Sequence, residues 1–241
     1  MASGDGCAPV AALAGAVIDL DGTLLDTEPA YFASYEAVAR AHGHEYSFER
    51  VHTHLLGRAE LEGAAAMVRL LALPLTPHEL LEQRDVHLLP SFSRTRPLPG
   101  ALDAVRALKA AGLKLAIATS SCRAYLELKR TGNDELFALF DAVVCGDDAG
   151  VRGRSKPDPA IFLEGARAIG VPPAACLAIE DSLAGIASAV AAGMRVVAVP
   201  DPRLRPAEVA AAGAHVVLAS LEELCVARHA GVAAPPAGQT A

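Results

Sequence analysis

Two carboxylates two residues apart carry the first chemical signal in this chain. In Ala16-Val17-Ile18-Asp19-Leu20-Asp21-Gly22-Thr23 an apolar run suited to a buried strand ends in Asp19 and Asp21. The two-residue period of a strand directs both side chains to one face, at the strand's carboxyl end. Gly22 lets the chain leave the strand sharply, and open α/β sheets bind their ligands at the carboxyl ends of parallel strands. At ~4 Å two such charges repel by about 4 kcal/mol at an effective dielectric of 20, so a reaction that uses one as nucleophile needs a cation beside it. The competing reading is a strand that ends in a polar turn, and the rest of the chain must decide between them.

That face matters only if Ala16 to Leu20 lies in a parallel sheet. From Gly100 onward the sequence alternates helical and strand patterns, the signature of stacked βαβ units. Residues 101 to 111 have helical spacing and stop at Gly112, and Leu113 to Ala118 follows as a strand buried on both faces. Ala142 to Cys145 is a brief strand. Pro159 to Ile169 reads as a helix opened by Asp158, and Cys176 to Ile179 as the next strand. Ser182 to Ala192 is a helix, Arg195 to Val199 a strand, and residues 206–212 and 215–218 a weaker pair. Ser220 with Glu223 forms a capping box for a last helix. Between the first two strands, from Tyr31 to Arg96, the alternation breaks and the pattern turns helical. Arg58 to Leu71 has apolar residues at helical intervals, and Thr76-Pro77-His78-Glu79 is a capping box. The expected architecture is therefore one parallel sheet with a helical insertion, returned by a linker from Phe92 to Pro99. The tail from Gly231 is expected to be disordered.

With these elements placed, the chain resembles the haloacid dehalogenase superfamily of phosphotransferases, whose first motif is DxDGT at this location. The family's other three motifs follow in order, each beside an expected strand end. They are Ala118-Thr119-Ser120-Ser121, then Lys156 within Ser155-Lys156-Pro157-Asp158-Pro159, then Ile179-Glu180-Asp181-Ser182 with Gly185 following. The resemblance runs from Ala16 to about Leu218. It implies an α/β fold, a Rossmann-like core of residues 15–30 and 97–226 with an inserted small helical cap, residues 31–96, and flexible termini at 1–14 and 231–241.

The implied activity is hydrolysis of a phosphomonoester through an aspartyl phosphate. Asp19 would attack phosphorus while Asp21 protonates the leaving alcohol and then takes a proton from the attacking water. Thr119 would donate to the phosphoryl oxygens, Ser120 would contact substrate, and Lys156 would offset the remaining charge. The implied cofactor is Mg²⁺, held by the side chains of Asp19 and Asp181, by Glu180 and by the Asp21 backbone carbonyl. Oxygen-only ligation suits Mg²⁺ rather than zinc. Duller roles compete: Thr119 as a helix cap, with Ser121 better placed for it; Lys156 as a solvated loop lysine; Asp181 as an N-cap, which Ser182 could also supply. Glu180 could hold a metal-bound water or Lys156 instead of the metal.

Within the superfamily the cap and LDGTLLDTE resemble the β-phosphoglucomutase-like branch, which holds sugar phosphomutases and phosphatases. Sugar phosphomutases of that branch carry a His twelve residues after the nucleophile; here the position is Tyr31, which lowers the expectation of mutase activity. Asp26 to Tyr31, Leu55 to Ala64, Ala118 to Ser121, Cys145 to Asp148 and Val199 to Leu204 are most similar to pseudouridine-5'-phosphatase-like enzymes. Arg58 and Glu60, after Gly57, are candidates to contact the non-phosphate part of the substrate, against the alternative of a solvated helix face. The alternatives are a hexose phosphomutase and, from a different class, a receiver-like signalling module with a phosphorylatable Asp. The latter needs no cap and has no use for Asp21.

Composition sets the outer bounds. The 241 residues are 52% hydrophobic and 20% charged, a globular balance. Twenty-one Lys and Arg against 28 Asp and Glu give a formal charge of -7, which argues against nucleic acid as partner. Five dispersed cysteines without a CxxC pair suit neither a disulfide framework nor a zinc knuckle, and read as reduced thiols. No apolar run reaches the ~18 residues of a membrane span, and Met1 to Ala14 lacks the Lys or Arg of a leader. The expectation is a cytosolic monomer acting on a small phosphorylated metabolite. His42, His44, His52 and His54 form a tempting zinc pattern, but no partner motif fixes its geometry and a polar cap surface explains them better.

Overall fold

In a computed structural model, described over residues 13–231, six parallel strands form one sheet. They are β1 (Gly15–Ile18), β2 (Lys114–Thr119), β3 (Ala142–Cys145), β4 (Cys176–Glu180), β5 (Arg195–Ala198) and β6 (Val216–Val217), in the order β3-β2-β1-β4-β5-β6. The strand that ends in the two aspartates lies in the middle, Val17 facing Ala116 on one side and Ala178 on the other. Its four residues are fully buried, which is why they read as a continuous apolar run rather than an alternating one.

Alternate strand residues feed two cores. Ala16, Ile18, Ile117 and Ile179 pack with α4 (Ala101–Ala110) and with Leu126, Leu136 and Phe137. Val17, Ala118 and Ala178 pack on the other face with α7 (Ala160–Ala168) and α8 (Leu183–Ala191). Ser182 Oγ accepts the Gly185 N–H at 3.0 Å and caps α8 as expected, whereas α7 begins one residue late, with Pro159 as its N-cap and the Asp158 carboxylate accepting the Ala160 N–H at 2.8 Å from one residue further out. Beyond β5 follow α9 (Pro206–Ala211) and α10 (Val226–His229). The last helix departs from expectation. Ser220 accepts from the Glu222 amide and opens only a short 3₁₀ turn, Leu221–Glu223, before α10 begins separately.

Between β2 and β3 the chain forms α5 (Arg123–Arg130) and α6 (Asp134–Phe137); only the first of them is implied in the sequence, by its cap candidates and without bounds. Their polar composition hides the signal, since in α5 only Leu126 and Lys129 are buried. Between β1 and β2 stand α1 (Glu28–Ala41), α2 (Glu60–Leu71) and α3 (Pro77–Phe92), sharing a third apolar cluster of Tyr35, Val38, Met67, Leu71 and Leu80. The Thr76–Glu79 capping box opens α3 as expected. His52 is a correction. It is buried against Phe32, Tyr46 and Phe48, with its ring nitrogens at 2.6 Å from Tyr46 Oη and 2.9 Å from Glu28, so it belongs to the packing and not to a polar surface. Cys122, Cys145, Cys176 and Cys225 are free thiols; Cys7 and the expected disordered tail lie outside the described residues, the tail's first residue, Gly231, excepted. Among the described residues no helix is long and apolar enough to cross a membrane.

Candidate active site

The loop after β1 is fixed before any side chain is considered. Asp19 still pairs through its amide with the Ile179 carbonyl of β4, and the chain then folds back so that Gly22 donates to the Leu25 carbonyl. Gly22 has φ +81°, and a Cβ there would stand 2.3 Å from Asp181 Oδ2, so only glycine lets this loop pass the neighbouring carboxylate.

Two adjacent strand ends, those of β1 and β4, deliver the acids together. Asp19, Glu180 and Asp181 are buried, with carboxylate oxygens within 4.8 Å of one another. Lys156 reaches them from the loop between β3 and α7, its Nζ 2.5 Å from Asp19 Oδ1 and 2.5 Å from Glu180 Oε1. The other Glu180 oxygen accepts from the Asp181 and Ser182 amides and the Ser182 hydroxyl, so both its oxygens are engaged within the protein. Among the described residues Asp181 accepts only the Thr23 hydroxyl, at 3.2 Å. Burial pushes Asp19 well above the usual carboxylate range; Lys156 opposes this, and Glu180 and Asp21 add to it. Asp181 is raised in the same way, by burial and then by Glu180 and Asp19. Lys156 would be lowered by burial, but Asp19 and Glu180 hold it above its ordinary value.

Asp21 has a different environment. The Lys129 ammonium of α5 stands 2.6 Å from its Oδ1, and the hydroxyls of Thr119 and Ser121 donate to its Oδ2 at 3.1 and 3.0 Å. Burial works to raise this carboxyl, and Lys129 more than offsets it, leaving Asp21 below its ordinary value. Thr119 thus points at Asp21 in this state, and Ser121 does not cap α5, whose N-cap is Cys122. Lys129 escaped the sequence reading, and Ser121 reads there only as a helix cap, because their roles exist only once α5 folds back over the end of β1.

A cleft covers the acids. Asp19, Asp21, Ser120 and Ser121 line it from the sheet side; Tyr31, Leu56, Gly57, Arg58 and Glu60 line it from the helical side. Gly57 makes the close approach. Its carbonyl accepts the Ser120 hydroxyl at 2.9 Å, its φ is +70°, and a Cβ would lie 2.1 Å from Ser182 Oγ. Glu60 reaches back to buried Arg84, 2.5 Å away, and its Oε1 has no partner; Arg58 is exposed at the rim.

The sequence profile of the haloacid dehalogenase-like hydrolases matches residues 13–193, a span holding every one of these groups. The chain belongs to that family. A haloacid dehalogenase-like hydrolase with these relatives is a phosphomonoester hydrolase, which removes the signalling-module alternative. It is 38% identical over 190 residues to "Probable pseudouridine-5'-phosphatase" of Drosophila melanogaster, covering 78% of this chain and 82% of that protein. It is 33% identical to "(DL)-glycerol-3-phosphatase 2" of Arabidopsis thaliana, covering 78% and 80%. Among solved structures it is similar to CbbY from Rhodobacter sphaeroides in complex with phosphate, at TM-score 0.73 and 26% identity, covering 88% of this chain and 96% of that one.

The hydrolase's acid cluster also fits the divalent metal this family generally uses. Asp19, Asp21, Glu180 and Asp181 bring four negative charges to one sheet end, and Lys129 and Lys156 return two. One divalent cation closes the difference, and the raised Asp19 and Asp181 are the two acids that lack sufficient compensation.

Proposed function

We propose that this enzyme is a Mg²⁺-dependent phosphatase of small phosphomonoesters that works through an aspartyl phosphate, with nucleoside and polyol monophosphates as the substrate class and pseudouridine 5'-phosphate the leading candidate. The observation that carries this reading is the convergence of Asp19, Lys156 and Asp181 with a separately held Asp21 under one helical cover. In the first half-reaction an Asp19 oxygen attacks phosphorus in line, the P–O bond to the alcohol breaks, and the alkoxide takes the proton of Asp21. In the second, water attacks the phosphorus of the aspartyl phosphate, gives its proton to Asp21, and frees inorganic phosphate and Asp19. Asp21 must therefore exist in both forms. Lys129 favours the carboxylate that accepts water's proton, and an arriving phosphate dianion places negative charge nearby, which works toward the acid form.

Mg²⁺ would be held by the Asp19 and Asp181 carboxylates and the Asp21 backbone carbonyl, and bound there it supplies the positive charge a dianion needs to approach a carboxylate nucleophile. Glu180, with both oxygens engaged, serves that site by holding Lys156 against Asp19. Lys156 then offsets charge on the phosphoryl group, with Thr119 and Ser120 as hydroxyl donors. Arg58 and Glu60 face the leaving group. The cleft measures about 60 Å³, far below the ~300–1,000 Å³ of small-molecule sites, which supports a cover that opens to admit substrate. The test is phosphate release from pseudouridine 5'-phosphate, glycerol 3-phosphate, flavin mononucleotide and hexose phosphates, with and without Mg²⁺. The expected result is Mg²⁺-dependent release, highest on the first two. Interconversion of hexose 1- and 6-phosphates without free phosphate would overturn the reading in favour of a mutase.

A further inference from the structure

Lys129 is a buried cation whose side chain meets the Asp21 carboxylate on one side and the rings of Tyr31 and Phe92 on the other. Its Nζ is 2.6 Å from Asp21 Oδ1, 2.7 Å from Ser121 Oγ and 3.1 Å from Tyr31 Oη. It also lies 4.6 Å from the ring centre of Phe92 and 5.2 Å from that of Tyr31. Tyr31 sits in the first turn of α1 and Phe92 ends α3, so the ammonium is enclosed by residues at both points where the chain passes between sheet and helical cover. The residue itself is wholly buried, and a desolvated ammonium over aromatic faces gains from the ring quadrupoles. Its donors are directional: one bond goes to Ser121, whose hydroxyl in turn donates to the second Asp21 oxygen. Asp21 Oδ2 is thereby held by two hydroxyl hydrogen bonds, while Oδ1, which has no hydrogen-bond partner among the described residues, is held by charge against the ammonium.

We infer that Lys129 is a positioning residue, which aims the Asp21 carboxyl at the reacting oxygen and makes that aim depend on Tyr31 and Phe92 being seated. This rests on the reading of Asp21 as acid and base given above. Proton transfer by a positioned side chain contributes typically about 10²–10⁴-fold; in kcat/KM, which reports the steps up to release of the alcohol, it matters only where the leaving oxygen needs a proton. An alkoxide does. A nitrophenolate leaves without one, so losing the aim of Asp21 costs the two substrates differently, whereas a general loss of structure costs them alike.

The experiment compares kcat/KM for pseudouridine 5'-phosphate and glycerol 3-phosphate with that for 4-nitrophenyl phosphate in Lys129→Met, Lys129→Arg, Asp21→Asn and the Lys129→Met/Asp21→Asn double variant, with a thermal melt of each. Expected are a fall of about 100-fold or more on the alkyl phosphates against less than about 5-fold on the aryl phosphate for Lys129→Met. The fall should lie in kcat with KM little changed, Lys129→Arg should recover part of it, and the double variant should be no worse than Asp21→Asn. Equal losses on both substrate types in Lys129→Met, while Asp21→Asn discriminates between them, would overturn the inference and leave the acid–base reading standing. Equal losses in Asp21→Asn itself overturn that reading and the inference with it. If Lys129→Met does not fold, Lys129→Arg is judged by the same criterion: discrimination upholds the inference, and uniform behaviour overturns it.

Discussion

Asp19 and Asp21 share a strand end and differ in everything that sets their chemistry. Asp19 is paired with Lys156 among other acids and is pushed up by burial; Asp21 is clasped by Lys129 and two hydroxyls and is held down. These directions run against the two roles, so a cation beside Asp19 must restore its charge and the arriving phosphate dianion must favour the proton on Asp21. Asp19→Asn keeps the volume and removes the attacking charge, so turnover should fall by at least about 10³-fold, the scale of losing a nucleophile, while the melting temperature holds or rises as a crowded charge is removed. An enzyme that released phosphate at near-normal rate after this change would exclude the aspartyl phosphate. Asp19, Asp21, Glu180 and Asp181 were legible in the sequence because each is pinned to a strand end by short-range spacing, and Lys156, on a loop eleven residues past β3, through its Pro-flanked motif. Lys129 was not, since nothing local distinguishes it from Lys109 on α4, which meets Asp141 on the surface instead.

Gly57 brings the helices inserted after β1 against the sheet, and Arg84 holds them to one another. At Gly57 any side chain must adopt a left-handed backbone, at about 1–2 kcal/mol, and would also collide with Ser182. Gly57→Ala should therefore raise KM by roughly tenfold with a smaller effect on the melting temperature, read from steady-state kinetics and a thermal melt in parallel. Arg84 binds those helices to each other and to α5: it donates to Tyr35 and Tyr125 Oη at 2.9 and 3.0 Å and pairs with Glu60 and Asp85. Removing one partner of such a buried pair strands the other, so Arg84→Met should cost about 3–5 kcal/mol in denaturant unfolding, unlike any exposed ion pair here. Helix existence was readable where the apolar period or a cap was strong, as in α2 and α3. The bounds of α5 and the whole of α6 were not readable, their few buried positions giving no stripe, nor was the burial of His52, which reads as polar until Phe32, Tyr46 and Phe48 close around it from separate segments.

Taken together, the described chain responds to two solution variables in predictable directions. If the acid cluster binds Mg²⁺, the ion stabilises the native state by mass action, about 2.7 kcal/mol at a hundred times Kd. A melt in MgCl₂ against NaCl of equal ionic strength should show the gain, and Asp181→Asn should remove most of it. The second variable is pH. His229, buried on α10, accepts the Cys225 amide at Nδ1, and burial together with Arg228 and Arg195 holds it below its ordinary value. The unfolded chain then binds a proton more readily than the folded one, so the stability due to neutral His229 is complete above about pH 6.5. It is lost as pH falls from there toward the lower folded value. Between pH 7.5 and 5.5 the melting temperature should drop more for the native protein than for His229→Gln. Parallel curves would assign the acid sensitivity elsewhere. The sheet order has a consequence in time. β1 leaves the ribosome first yet takes its place between two strands made later, the second of them some 160 residues on. Until β4 exists, a wholly apolar strand carrying the nucleophile has no complete set of backbone partners, and such unpaired edges invite aggregation. Newly made chains therefore have a window of vulnerability that closes only when Cys176–Glu180 arrives, and the acids of the site assemble at that same moment.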